Sequence, residues 1–143
     1  MGSAPGPLLL HASTVALFGR GCLISGPSGS GKSTLALSLM ALGAALVADD
    51  RTELWREGDA VMAGCPKALK GLIEARGLGL LNAEATGPVP LSLVVDLAEV
   101  EVERLPPRRS REILGQSVTL VHKLDSPGFP AALLQYMKGG RQA

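Results

Sequence analysis

Short apolar runs separated by Gly, Pro and Asp positions recur along the chain, and this pattern predicts more strands than helices. One longer block differs, because Leu35, Leu39 and Leu42 repeat at helical spacing before Gly43, a natural helix C-cap. The predicted elements are strands over 14–18 and 22–25, a helix over 32–43, a strand over 45–48, a hairpin of strands over 52–57 and 60–64, a short helical piece over 66–73, strands over 90–102 and 117–124, and a helix over 129–138. This order indicates an α/β fold with a mixed β-sheet and flanking helices.

The segments between these elements predict one domain. We expect a flexible N-terminal segment over 1–10, a single catalytic domain over 11–138 and a polar tail over 139–143. After the short helical piece, a loop with two glycines should run into a further strand. Residues 103–112 read ERLPPRRSRE and are polar, basic and rich in Pro, which predicts an exposed, mobile loop.

Composition narrows the class of protein. Of the 143 residues, 46% are apolar and 19% are charged, which is typical of a globular chain. The net charge of +1 suggests neither a nucleic acid nor a membrane surface as partner, and no apolar run approaches the roughly 20 residues that span a bilayer. The first residues lack the basic region of a secretory signal, and Cys22 and Cys65 are best interpreted as reduced thiols. A cytoplasmic location is therefore expected.

Residues 26–33 read GPSGSGKS and match the phosphate-loop pattern G-x-x-x-x-G-K-[ST] between a predicted strand and a predicted helix. Glycines let backbone N–H groups turn toward one point, where the helix adds the positive end of its dipole. Lys32 can reach the β- and γ-phosphates, and the Ser33 hydroxyl can ligate Mg²⁺. A plain Gly/Ser turn is the competing interpretation. The predicted nucleotide-binding residues are Gly26, Pro27, Ser28, Gly29, Ser30, Gly31, Lys32, Ser33 and Thr34.

Phosphoryl transfer also needs an acid near Mg²⁺ and either a base or a positioned water. Two apolar runs end in carboxylates: LVADD ends in Asp49 and Asp50, and LSLVVD ends in Asp96. From the hydrophobic pattern alone, either the Asp49–Asp50 pair or Asp96 could supply the acid beside Mg²⁺. An adjacent pair can divide the work, with one acid near the metal and the other accepting a hydroxyl proton.

Four stretches in order resemble the HPr kinase/phosphorylase family, bacterial enzymes that act on a serine of the phosphocarrier protein HPr. They are His11, the phosphate loop, LVADDR over 46–51 with Asp49 16 positions after Ser33, and IEARGLGLL over 73–81, which is similar to the family signature L-E-I-R-G-L-G-I-I. The last stretch is the most specific, because a bare phosphate loop occurs in many families. The resemblance covers residues 11–105 and implies a P-loop fold like that of the family's C-terminal domain.

The resemblance implies four catalytic residues. Asp49 would be the base that takes the serine proton, Asp50 would support the metal or orient its neighbour, and His11 would lie close to both. Arg104 resembles a family arginine that precedes a mobile loop linked to dephosphorylation by inorganic phosphate.

The resemblance also implies a metal site, cofactors and partners. Ser33, Asp50 and Glu74 would lie around Mg²⁺, and Arg76 would steady the charged site. ATP and Mg²⁺ would be the cofactors, an HPr-type protein the acceptor and inorganic phosphate a further partner. The family's assembly implies a homo-oligomer, a hexamer.

Structural interpretations compete with these roles. The two aspartates could cap a turn and pair with Arg51, and Glu74 and Arg76 could form a surface ion pair, which contributes about 0–1 kcal/mol. His11 could be structural, and the arginines of residues 103–112 could belong to a solvated loop.

The chain also departs from the family pattern. Thr34 stands where the family usually has an acid, Pro27 where Asp is frequent, and residues 129–143 do not follow the family's closing helices. From the position of the phosphate loop at residues 26–33, we expect a form without the family's regulatory N-terminal domain, similar to the short form of alphaproteobacteria. These departures weaken the expectation of phosphorolysis more than that of phosphorylation, because the residues proposed for phosphorylation are all present. Two alternative functions stay open: a small-molecule P-loop kinase, and a nucleotide-binding regulatory module without catalysis.

Overall fold

The structure, a computed structural model, describes residues 6–143. The strands are β1 (Leu8–Leu10), β2 (Ser13–Leu17), β3 (Arg20–Ser25), β4 (Ala45–Ala48), β5 (Thr52–Glu57), β6 (Ala60–Gly64), β7 (Leu72–Ala75), β8 (Gly79–Asn82), β9 (Val89–Val100), β10 (Arg109–Ile113) and β11 (Gln116–Lys123). The helices are α1 (Lys32–Ala41) and α2 (Phe129–Gly139), with one 3₁₀ turn over Lys67–Leu69. The two longer predicted helices, the hairpin over 52–64 and most of the predicted strands are confirmed to within two residues.

Three parallel strands form the centre of the main sheet. β9 pairs in parallel with β3 and with β11, and β10 pairs antiparallel with β11. Beyond β3 lie β2 and β4, and the start of β9 connects to β6, β5 and β1 through antiparallel pairs. The predicted α/β fold with a mixed sheet and flanking helices is confirmed.

Both faces of the central strands are buried, so their side chains alternate between two cores. Ile24 of β3 packs with Leu39 of α1 and Met137 of α2 in the core beneath the two helices. Leu23 points to the opposite face and packs in a second core with Leu54 of β5. Burial on both faces explains why these strands read as continuous apolar runs, as is usual for parallel strands.

The end of α1 follows the prediction from its sequence. The helix ends at Ala41, and Gly43 has a φ of +111°, which favours glycine. The N–H of Gly43 donates to the carbonyl of Met40, and the N–H of Ala44 donates to the carbonyl of Leu39. These bonds satisfy the last carbonyls of the helix in a Schellman-like cap.

Residues 66–83 differ from the prediction. Only residues 67–69 are helical, and β7 and β8 form a separate two-stranded hairpin. Lys70 is already extended and Gly71 has a φ of +77°, so the helix cannot continue. The hairpin turns at Gly77 and Gly79, which both have positive φ. The expected glycine-containing loop is therefore the tip of this hairpin.

Residues 103–112 were expected to form one mobile loop, and this is wrong for the second half. Residues 109–113 form β10, in which Arg109 and Arg111 are half-buried and Ser110 and Glu112 are exposed. The side chains alternate between half-buried and exposed, as in any strand. Because the half-buried positions carry arginines and not apolar residues, hydrophobicity alone does not predict this strand.

The N-terminal prediction is wrong for residues 8–10, because β1 pairs with β5. Residues 1–5 of the expected flexible segment lie outside the described residues. Across residues 6–143, no helix has the length and apolar character needed to cross a membrane. Cys22 and Cys65 are free thiols, and burial raises the pKa of Cys22 to about 12.

Candidate functional site: the phosphate loop and its aspartate pair

The phosphate loop begins where β3 leaves the sheet. Gly26 has a φ of +148°, and a Cβ at this position would lie 2.6 Å from Ser30 Oγ. Lys32 Nζ donates to the carbonyls of Gly26, at 2.8 Å, and of Pro27, at 3.2 Å. The loop thus folds around the ammonium group, so that Lys32 lies at the loop as the motif predicts.

The loop leads directly into the N-terminus of α1. Gly31 is the N-cap residue, with a φ of +98°, and its carbonyl accepts the N–H of Leu35. No side chain caps this end of the helix. The first N–H groups and the positive end of the helix dipole are therefore available to an anion.

Asp49 lies beneath the loop, at the end of β4, and is only 8% exposed. Its Oδ1 accepts hydrogen bonds from the hydroxyls of Ser13 and Ser33, each at 2.7 Å. Its Oδ2 accepts the backbone N–H of Glu74 at 3.0 Å. Three donors therefore hold this carboxylate, and one of them is the predicted metal ligand of the phosphate loop.

Asp50 has different surroundings from its neighbour. It is exposed, and its φ of +65° lies in the left-handed region, which is uncommon for residues other than glycine. Its N–H donates to Ser13 Oγ at 3.3 Å, so the Ser13 hydroxyl contacts both aspartates. The backbone turn leaves Asp49 directed into the protein and Asp50 at the surface.

A cavity of about 260 Å³ lies over the loop on this side. Asp50, Glu74 and Arg76 face the loop across it. The residues that line it are Ser28, Gly29, Gly31, Lys32, Ser33, Thr34, Asp50, Glu74 and Arg76. The structure therefore brings together most of the predicted phosphate-binding residues, two carboxylates and one arginine.

The β7–β8 hairpin supplies Glu74 and Arg76, which are both exposed. The three ion pairs found among residues 6–143 do not include a pair between them, nor a pair between Arg51 and either aspartate. The competing interpretations as surface ion pairs are thus not supported by the geometry. The hairpin is fixed to the site by the bond between the Glu74 N–H and Asp49.

Asp96, the other candidate for the acid on the metal side, does not line this cavity. Its Oδ2 accepts a hydrogen bond from Arg111 at 3.0 Å, and its Oδ1 accepts the N–H of Ala98. Arg111 also donates to Ser25 Oγ, in the last residue of β3 before the loop. Asp96 therefore belongs to a network that supports the base of the loop.

Two predicted catalytic residues, His11 and Arg104, do not line this cavity. His11 is exposed in the connection between β1 and β2, and it forms no hydrogen bond with another described residue. Arg104 is exposed and lines a different cavity, between the 101–108 connection, β11 and α2. The structure brings neither side chain into the cavity over the phosphate loop.

Two residues of the site were missed at the sequence level. Ser13 bridges the aspartates, and the only signal was a polar pair, Ser13 and Thr14, at the start of a buried strand. Arg111 falls within the predicted 103–112 loop, and the signal for its true place is the alternation of arginines with polar residues over 109–112, which is compatible with a strand.

The residues of the cavity fit Mg²⁺. Residues 6–143 contain no group of three or more His, Cys, Asp or Glu side chains that could hold a metal ion by themselves. Mg²⁺ bound with a nucleotide needs fewer protein ligands, because phosphate oxygens and waters complete its shell. The Ser33 hydroxyl, Glu74 and Asp50 supply oxygen ligands beside the phosphate loop.

The sequence is similar to a known family and to curated proteins of that family. The family model described as the HPr Serine kinase C-terminal domain matches residues 7–121. The HPr kinase/phosphorylase of Alkaliphilus metalliredigens is 36% identical, over 78% of this chain and 40% of that protein. The HPr kinase/phosphorylase of Bordetella pertussis is 42% identical, over 68% of this chain and 35% of that protein. The chain thus spans 40% or less of the length of these two relatives.

A solved structure shares the fold. The structure of the Hpr(Ser) kinase/phosphatase from Coxiella burnetii superimposes with a TM-score of 0.78 and 23% sequence identity, covering 92% of this chain and 94% of that one. This likeness concerns the fold, and the family model concerns the sequence over most of the chain. Together with the phosphate loop and its aspartate pair, they show that this chain belongs to the HPr serine kinase C-terminal domain family.

Proposed function

We propose that this protein is a kinase that transfers the γ-phosphoryl group of ATP to a serine of an HPr-type phosphocarrier protein. The observation that carries the proposal is the aspartate pair. One carboxylate is bonded to the Ser33 hydroxyl, and the other is exposed in the cavity over the phosphate loop. A module that only binds a nucleotide gains little from a second acid in this position. The names of the curated relatives support HPr as the acceptor.

Within this proposal, Asp49 is a positioning residue. The Ser33 O–H donates to Asp49 Oδ1, which leaves the lone pairs of Ser33 Oγ free for a metal ion. Mg²⁺ would shield the charge of the phosphates when bound with ATP. Ser33 and Glu74 would be its protein ligands, and Lys32 would bind the β- and γ-phosphates.

Asp50 is the base in this proposal, which reverses the assignment that the resemblance implied. Asp50 is exposed in the cavity, whereas both oxygens of Asp49 are already bonded to donors. Only an accessible carboxylate can meet the hydroxyl of a protein substrate. The serine oxygen forms a bond to the γ-phosphorus, the bond to the β–γ bridging oxygen breaks, and the serine proton passes to Asp50.

We propose phosphorylation alone and not removal of phosphate by inorganic phosphate. The resemblance attached that reaction to Arg104, and Arg104 lines a different cavity. Arg76 is the arginine that faces the phosphate loop, where it can balance charge on the transferred group.

The test is a labelling assay with the purified chain, ATP, Mg²⁺ and several HPr proteins. We expect one phosphorylated serine by mass spectrometry, and its loss in Asp50→Asn. Asp59→Asn is the matched control, because Asp59 is an exposed aspartate in the β5–β6 turn, away from the cavity. Absence of label on every HPr would overturn the proposal. ATP turnover that HPr does not stimulate would favour a small-molecule acceptor instead.

A further inference from the structure

The cavity that Arg104 lines has a volume of about 400 Å³ and lies at the border of the core beneath the helices. Its walls are β11, α2 and the 101–108 connection, and we call it the α2 cavity. The residues that line it include none of the phosphate loop and neither of the two aspartates beside it. This size is within the usual range for small-molecule sites, about 300–1,000 Å³.

Most of the wall of the α2 cavity is apolar. Phe129, Leu133 and Tyr136 recur at helical spacing, so that one face of α2 lines it. Val121 lines it from β11, and Leu105, which is 68% exposed, lines it from the connection. Apolar surface that is open to water is stabilised when a ligand covers it, so the cavity suits an apolar group.

The wall offers few partners to a ligand with many hydroxyl groups. Its neutral polar side chains are Thr119, His122 and Tyr136. A sugar or a nucleoside in this cavity would leave several of its polar groups without hydrogen-bond partners, which lowers affinity. The body of the ligand is therefore expected to be apolar.

The charge around the cavity is positive. Four arginines and two glutamates line it, which gives a net charge of +2 with His122 neutral. One of the glutamates, Glu101, already accepts a hydrogen bond from Arg109 at 3.2 Å and the backbone N–H groups of residues 102–103. The negative charge of Glu101 is thus engaged within the protein and opposes an anion in the cavity only weakly.

Arginines without acid partners lie on the open side of the cavity. Arg104 and Arg108 are exposed, and they belong to none of the ion pairs found among residues 6–143. Arg109 is bonded to Glu101, but its Nε is buried and has no acceptor within the same part of the chain. Guanidinium groups bind carboxylates through charge-assisted hydrogen bonds, so these side chains favour an anionic head group.

The 101–108 connection is held in place by contacts with the rest of the protein. The N–H of Glu101 donates to the carbonyl of Lys123 at 2.8 Å, which ties the connection to β11. Arg141, after α2, donates to the carbonyl of Pro106, and Pro106 and Pro107 restrict the backbone between the arginines. Since this wall is ordered without a ligand, little ordering is needed on binding.

We propose that the α2 cavity binds a small organic anion with an apolar body, of the medium-chain carboxylate class. The chain packs against Phe129, Leu133 and Val121, and the carboxylate lies at the open side beside Arg104 and Arg108. This site is separate from the cavity over the phosphate loop, and binding there requires neither ATP nor an acceptor protein.

The reporter for the experiment is Tyr136, which is the single tyrosine of the chain and lines the cavity. Expression with meta-fluorotyrosine gives one ¹⁹F NMR signal at this wall. Octanoate should shift the signal to saturation with a dissociation constant of about 1 mM or below. Octanol, which has the same chain without the charge, should bind at least about fivefold more weakly. Inorganic phosphate, which has the charge without the chain, should not saturate the signal.

One variant tests the apolar part of the cavity. Ala132 is exposed on α2 and lines the cavity, so Ala132→Phe fills it from a position that folding tolerates. We expect octanoate affinity to fall at least about tenfold. The matched control is Ala131→Phe, at the preceding exposed position of α2, which does not line the cavity. It should leave octanoate affinity unchanged within about twofold.

A second variant tests the head group. Arg108→Gln removes a charge from an exposed position, so folding should be unaffected. Octanoate affinity should fall about five- to tenfold, whereas octanol affinity should stay the same. Lys138→Gln is the matched control, because Lys138 is an exposed cation of α2 that does not line the cavity. It should change neither affinity.

Four results would overturn the proposal. They are the absence of a saturable shift with octanoate up to about 10 mM, equal affinity for octanoate and octanol, saturation by inorganic phosphate alone, and octanoate affinity that the two cavity variants leave at the wild-type value. Equal losses in a variant and its control would do the same, because they would show binding that does not depend on this cavity. Since neither ATP nor HPr is present, these outcomes are independent of the proposed kinase activity.

Discussion

Replacement of the buried aspartate should separate the roles of the two neighbouring acids. Asp49→Ala removes the acceptor for the hydroxyls of Ser13 and Ser33 and for the N–H of Glu74. Ser13 is fully buried, so its hydroxyl cannot turn to water, whereas Ser33 is only half-buried and can. The variant therefore leaves two donors without partners.

The cost can be estimated from these contacts. A buried donor left without an acceptor costs about 1–3 kcal/mol, and bonds to a charged group lie at the upper end of this range. Loss of the charge recovers part of the cost of burying a carboxylate. We expect Asp49→Ala to lower the free energy of unfolding by about 3 kcal/mol.

The amide variant should cost less. In Asp49→Asn the amide can turn so that its NH₂ group donates to both serine hydroxyls and its oxygen accepts the N–H of Glu74. The N–H of Glu74 then keeps its acceptor and only the buried Ser13 O–H loses one, so we expect a loss of about 1–2 kcal/mol, less than for Asp49→Ala. Asp50→Asn, at an exposed position whose left-handed backbone Asn tolerates, should change stability by less than about 0.5 kcal/mol.

Urea unfolding followed by circular dichroism measures these differences. The order Asp49→Ala, then Asp49→Asn, then Asp50→Asn is the expected ranking of destabilisation. If Asp49→Ala lost less than about 1 kcal/mol, or no more than Asp50→Asn, the buried bonding described for Asp49 would be wrong.

Asp49→Asn should also reduce the effect of Mg²⁺ on ATP binding. An amide N–H that donates to Ser33 Oγ occupies a lone pair that the metal would otherwise use. The gain in ATP affinity on adding Mg²⁺ should therefore shrink, while affinity without metal stays near the wild-type value. An unchanged gain would show that Asp49 does not orient Ser33.

Three further predictions concern other parts of the chain. Gly26→Ala should abolish ATP binding in titrations, because the new Cβ would lie 2.6 Å from Ser30 Oγ at a φ of +148°; retained affinity would contradict the loop geometry. Gly64→Ala should lower the free energy of unfolding by about 1–3 kcal/mol, because its Cβ would lie 2.8 Å from the Trp55 ring, and tryptophan fluorescence would show whether the ring moves. Cys22 should resist alkylation in the native state up to about pH 9 and react after unfolding, because burial raises its pKa to about 12; rapid native alkylation would refute this.

Local pattern was sufficient for the parts of the fold in which side-chain character and position agree. The phosphate loop, Gly43 and the 52–64 hairpin all follow from residue types at fixed spacing, and the structure confirms these elements. The pattern failed at β10, because its inward positions are arginines whose partners, Glu101 and Asp96, lie 8 and 15 residues earlier, at or beyond the end of the neighbouring apolar run. Those partners become visible only once β9 and β11 are paired.

For the site, too, the sequence predicted the positions that depend on local spacing and not those that depend on distant contacts. The doublet of aspartates could be located from its spacing, but the difference between Asp49 and Asp50 depends on Ser13, which lies 36 residues away from Asp49 and donates to it. The position of Arg104 depends on how the 101–108 connection folds over β11, which no local pattern specifies.

The parallel pairing of β3, β9 and β11 has a consequence for folding. β9 starts at residue 89, so the strand that carries the phosphate loop meets its parallel neighbour only across a long stretch of chain. Contacts between distant segments form slowly, because closing a long loop costs entropy before the contacts stabilise it. The phosphate loop should therefore acquire its shape late in folding. In native-state hydrogen exchange, the amides of Leu93, Val94 and Val95, which are fully buried between both neighbours, should be the last to exchange.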